Sequence, residues 1–155
     1  MSEPTPIGGE RPCLVVGYDG SEESRGAVLY AVRRLGGCGT LVMVHAAGAL
    51  PDWPGAEQAR ETLEAAAAKA EEMLTAAQEG APSPADVEVV TELAHDEPAQ
   101  ALARIAEERG ANEIVVGSRG FGGARASLGS VSHELISLAD RPVVVIPIRG
   151  HESPS

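Results

Sequence analysis

Residues 114–134 read IVVGSRGFGGARASLGSVSHE, an apolar run that gives way to four glycines and two arginines before a Gly-Ser pair at which helical periodicity resumes. A short apolar run followed by a helix is one strand-to-helix unit of an α/β sheet. The glycines between them admit two readings. They are either a plain connector, or a backbone kept bare so that a ligand can lie against its amides. Gly117 and Gly120 let the chain turn off the strand without Cβ interference. Gly129 and Ser130 stand where the helix begins, and a helix start offers unpaired N–H groups and about half a positive charge to an anion. The Ser130 and Ser132 hydroxyls can add donors, and Arg119 and Arg125 can neutralise remaining charge.

The same unit recurs on either side. CLVVGY is followed by a stretch in which Ala27, Val28, Ala31, Val32 and Leu35 recur at helical spacing, with Ser21 as N-cap and Glu22 and Glu23 placed for the helix dipole. TLVMVHA precedes an alanine-rich helix whose expected inner face is Ala59, Leu63, Ala66, Ala70, Met73 and Ala77. VEVVTEL precedes EPAQALARIAEERG, with proline at the helix start and glycine past its end. After residue 129 comes a short helix holding Val131, Leu135 and Leu138, then RPVVVIPI. Five strands alternating with four helices predict an open parallel sheet covered on both faces. Ligands of such sheets bind beyond the carboxyl ends of the strands, where the winding reverses. GYDGS after the first strand and the glycine segment after the fourth are the chemically distinctive strand ends.

The chain has 155 residues, 43% of them apolar and four aromatic, so one domain with a core of Ala, Val, Leu and Ile is expected. The polar ends, residues 1–10 and 150–155, read as flexible tails around a domain at 11–149. A formal charge of −11 opposes binding to nucleic acid or to an anionic membrane, so any phosphate site must be local. Cys13 and Cys38 lack disulfide-scaffold or CxxC spacing and read as two inert buried thiols of a cytoplasmic protein. His45 reads as a core histidine within the second strand. His95 and His133 show no shared metal-ligand spacing. Asp19 either caps the following turn or reaches a ligand or Mg²⁺, and the two roles are compatible. No G-x-S-x-G, H-E-x-x-H or Walker A pattern occurs, so the residues supply no machinery for fast phosphoryl transfer and predict slow hydrolysis at most, and no efficient enzyme.

The pattern G-x2-G-x8-G-S, together with VVGYDGSEES, VHA, ANEIVVGSRG and RPVVVIP, resembles the universal stress protein family over about residues 11–149. The resemblance implies a Rossmann-like sheet in the order 3-2-1-4-5 and, in one branch of the family, ATP at the ends of strands one and four. It implies that Gly117, Ser118, Arg119, Gly120, Gly122 and Gly123 wall the ribose and phosphates, and that Gly129, Ser130 and Val131 form the phosphate-facing helix start. Asp19 resembles the family's acidic residue near the nucleotide and its metal. Gly17 and Ala46 match positions whose backbones line the adenine pocket. The family spacing before the last marked glycine is usually nine residues, against eight here. The resemblance further implies a homodimer through the last strand, Val143, Val144, Val145 and Ile146, which would cover an apolar edge marked by Pro147. The alternative is a dimeric interaction module of the same family that binds no ATP.

Overall fold

The computed structural model describes residues 11–118 and 129–147. Arg119, Gly120, Gly122, Gly123, Arg125 and both tails lie outside the described residues. The element order is β1 (Cys13–Gly17), α1 (Glu22–Leu35), β2 (Cys38–Ala46), α2 (Glu57–Gly80), β3 (Asp86–Ala94), α3 (Pro98–Arg109), β4 (Glu113–Gly117), α4 (Ser130–Leu138) and β5 (Val143–Ile146). All pairings are parallel and the order is β3-β2-β1-β4-β5, the expected winding.

Alternation along the central strands sorts side chains into two cores. Leu14 and Val16 of β1 pack with Ala27, Val28, Ala31, Val32 and Leu35 of α1 and Leu74 of α2. Val15 on the opposite face packs with Ala99, Leu102, Ile105 and Ala106 of α3 and Leu135 of α4. A strand covered on both faces must be apolar throughout, which is why CLVVG and EIVVG read as continuous runs.

Local chemistry sets the helix ends. Ser21 Oγ accepts the Ser24 amide at 3.2 Å, so the anticipated N-cap of α1 is present, and Gly36 ends the helix at φ 69°. Pro98 opens α3 and Gly110 closes it at φ 62°. At the far end of the sheet from the strand carboxyl termini, Arg34 of α1 meets Glu113 of β4 at 2.8 Å. The Glu113 hydrogen bond holds the Arg34 guanidinium even further above its ordinary value.

Three expectations need correction. In α2 the fully buried residues are Ala67, Ala70 and Leu74, whereas Ala59 and Ala66 face solvent. The alanine run 65–68 carries no contrast between faces, so the phase is set by Leu74, and no residue before Ala67 is fully buried. In α4, Leu135 is fully buried but Leu138 is 45% and Ile136 54% exposed, because a nine-residue helix at the sheet margin covers the core with a single turn. The cysteines lie on adjacent strands, but Cys13 is opposite Thr40 and Cys38 opposite Asp86. Both are free; Cys38 is exposed, and only Cys13 is part-buried, its thiol pushed up by burial against a weaker opposing effect of Arg109. Among the described residues no helix is long and apolar enough to cross a membrane.

The packing predicts opposite outcomes for neighbours on α4. Leu135→Ala should cost about 2–5 kcal/mol in urea unfolding, while Ile136→Ala should stay within about 0.5 kcal/mol. Equal losses would contradict the orientation of the helix.

Candidate functional site

β1 has β2 on one side and β4 on the other, and the helices that follow β1 and β4 leave to opposite faces of the sheet. The strand ends therefore diverge from their covering helices, and a crevice opens there. It holds a cavity of about 460 Å³. Gly17, Tyr18 and Asp19 border it from the end of β1, Val44, His45 and Ala46 from β2, and Val116 and Gly117 from β4. Gly129, Ser130, Val131 and Ser132 of the α4 start also line it, together with Pro98 and Leu102 of α3 and Ser21 and Ser24 at the start of α1.

The structure thus brings together Gly17, Asp19, Ala46, Gly117, Gly129, Ser130, Val131 and Ser132, which are distant in sequence. Gly17 is bare for a reason beyond ligand approach. A Cβ there would stand 3.2 Å from both Leu102 Cδ1 and Val116 Cγ1, so its absence lets α3 and β4 close the cavity floor. Asp19 makes the local turn: its Oδ1 accepts the Ser21 amide at 2.9 Å, while the residue still borders the cavity. His45, read from sequence as a core residue, is only part-buried and lines the cavity, with Nδ1 3.0 Å from the Tyr18 carbonyl oxygen. The floor residues Pro98 and Leu102 carried no motif, and the helical stripe on α3 gives the burial of Leu102 but not the strand ends it meets.

The two ends of the glycine segment are tied together. Ser118 N donates to Ile146 O at 2.7 Å, and Ser118 O accepts from Gly129 N at 2.6 Å. Ser132, 1% exposed, donates its hydroxyl to Gly117 O at 2.7 Å, with Ser118 O at 3.3 Å. Ser132 was expected to add a donor for phosphate; its proton is instead engaged in holding β4 to α4. The helix itself begins at Gly129, which has no side chain to cap the first amides. An uncapped helix start beside a cavity is an anion acceptor by geometry. Among the described residues no group of three or more His, Cys, Asp or Glu is placed to hold a metal ion.

Residues 13–147 match the model of the universal stress protein family. The chain belongs to that family. Universal stress protein YxiE of Bacillus subtilis (strain 168) is 43% identical over 61 residues, which are 39% of this chain and 41% of that protein. The solved universal stress protein UspA of Lactobacillus plantarum is similar over 89% of this chain and 99% of its own, at 22% identity and a TM-score of 0.74. A universal stress protein crystallised in complex with cAMP is similar over 87% of this chain and 95% of its own, at 26% identity and a TM-score of 0.52.

Within this universal stress protein domain the clamp predicts a contrast between two serines of one helix. Ser132→Ala leaves the Gly117 carbonyl without its buried donor and should cost about 1–2 kcal/mol in denaturant unfolding. Ser130→Ala, at an exposed position, should change stability by no more than about 0.5 kcal/mol. Equal effects would show that the Ser132 hydroxyl does not hold the loop.

Proposed function

We propose that this universal stress protein binds an adenine nucleotide, ATP with Mg²⁺, in the crevice at the ends of β1, β2 and β4, and that occupancy alters a surface read by partners in stress signalling. The observation that carries the proposal is the union, in one cavity, of an uncapped helix start and an apolar floor. The first suits phosphate and the second a base. A volume of about 460 Å³ lies within the range of small-molecule sites. The complex of a family relative with cAMP supports the same ligand class.

On this proposal Ser130 and Val131 amides meet phosphate at the α4 start, and Gly117, Ser118, Arg119, Gly120, Gly122 and Gly123 surround ribose and phosphates. Gly17 and Ala46 offer backbone to the base. Asp19, the one carboxylate among the described cavity residues, would hold Mg²⁺. The ion supplies neutralisation of the phosphates, which matters in a chain of charge −11. Ser132 and Ser118 keep the walls of the site at a fixed separation.

The protein acts by binding and not by efficient turnover, because no lysine borders the described cavity to meet a γ-phosphate. The chain dimerises through the half-buried edge strand Val143–Ile146, covering the apolar residues that β5 shows to solvent. It resides in the cytoplasm, where two free thiols stay reduced, and its negative charge keeps it from nucleic acid and membrane surfaces.

Thermal unfolding with Mg-ATP tests the proposal. Ligand at about a hundred times its dissociation constant stabilises the native state by about 2.7 kcal/mol, which for a domain of this size raises the Tm by about 5–10 °C. Gly117→Val, at the cavity-lining end of β4, should abolish the shift while the unliganded Tm stays close to wild type. No shift for the wild-type protein at millimolar Mg-ATP would contradict nucleotide binding and favour the dimeric interaction module.

A further inference from the structure

The polar side chains around the cavity are mostly engaged with the protein itself. Ser21 Oγ accepts the Ser24 amide, Ser24 Oγ donates to Ser21 O at 2.9 Å, and Ser132 donates to Gly117 O. His45 is different, because it has two ring nitrogens and the structure engages one. Its Nδ1 lies 3.0 Å from Tyr18 O, and a carbonyl oxygen can only accept, so Nδ1 must carry the proton. In the neutral ring Nε2 is then an acceptor by necessity. Tyr18 reinforces the arrangement by donating its own amide to Val44 O at 2.8 Å, so the turn after β1 is fixed to the end of β2 through both of its backbone groups.

The topology says which part of a ligand His45 meets. On the nucleotide reading phosphate meets the α4 start, which follows β4, while His45 stands one residue before the end of β2. In the order β2-β1-β4 those positions are two strand spacings apart, about 9–10 Å. A nucleotide anchored by phosphate at one end therefore extends its base toward the other. At that end His45 borders the cavity, and its Nε2 accepts.

We infer that His45 is a specificity-determining residue that selects, through Nε2, a base carrying an exocyclic amino group over one that lacks it. The inference rests on the nucleotide reading above. The Nδ1–H bond to Tyr18 O sets the tautomer, and the tautomer sets the preference: an amino group gives Nε2 a proton, whereas a purine without that group leaves Nε2 unpaired.

The experiment compares dissociation constants of Mg-ATP and of the Mg complex of purine riboside 5′-triphosphate, which lacks the amino group, by calorimetry on wild type, His45→Asn and His45→Gln. Asparagine can keep a donor where Nδ1 stands and removes Nε2. Glutamine places its amide where Nε2 stands. One hydrogen bond corresponds to a preference for ATP of roughly three- to tenfold in the wild type. The ratio should fall to about one in His45→Asn with an unliganded Tm close to wild type, and recover in His45→Gln. A wild type that binds both ligands equally, or a His45→Asn ratio as large as wild type, overturns the inference and leaves the nucleotide reading intact. If His45→Asn does not fold, a His45→Gln ratio near one overturns it and a retained ratio sustains it. A wild type that binds neither triphosphate contradicts both.

Discussion

The winding of the sheet reverses between β1 and β4, and the functional geometry follows from that constraint. A parallel strand hands its chain to a helix on one face, and right-handed crossovers send α1 and α4 to opposite faces once the order runs 3-2-1-4-5. Neither helix can then cover the ends of both β1 and β4. The crevice is a consequence of the fold, and the residues at its rim decide what it can hold. Gly17 keeps the floor low by letting Leu102 and Val116 meet where a side chain would otherwise stand.

Local hydrogen bonds convert the crevice into a defined site. Ser132 and Gly129 tie the start of α4 to the end of β4, and His45 ties the end of β2 to the turn after β1. Ser118 and Gly129, on either side of the glycine segment, are joined directly by the Gly129 amide donating to the Ser118 carbonyl. Specificity on this account comes from backbone amides at one end of the cavity and from the tautomer of one imidazole at the other.

Much of this was legible in the sequence wherever the determinant is local. Ser21 followed by two glutamates marks a helix start whatever surrounds it, and the unbroken apolar runs of β1 and β4 betray strands buried on two faces. Gly17, Tyr18, Asp19 and Ser21 after the first strand and Gly117 at the start of the glycine segment border one cavity. Where the determinant is a contact between distant residues, the sequence was silent. Ala65 to Ala68 are chemically identical around the helix, so the inward face of α2 is decided by how Leu74 meets the sheet. Ile136 and Leu138 look as apolar as Leu135, and only the short overlap of α4 with the sheet leaves them outside. His45 has apolar neighbours in sequence, and its link to Tyr18 exists only because β1 and β2 are paired in that register.

The central claim is that main-chain amides at the start of α4 grip an anionic nucleotide. A titration of ¹⁵N-labelled protein with Mg-ATP, followed by amide resonances, tests it most directly. The account predicts the largest shifts at Ser130 and Val131, accompanied by Gly17, Ala46 and Gly117, and little change at the opposite end of the sheet around Arg34 and Glu113. Saturating nucleotide that leaves Ser130 and Val131 unmoved, or that moves only residues outside the crevice, would contradict it.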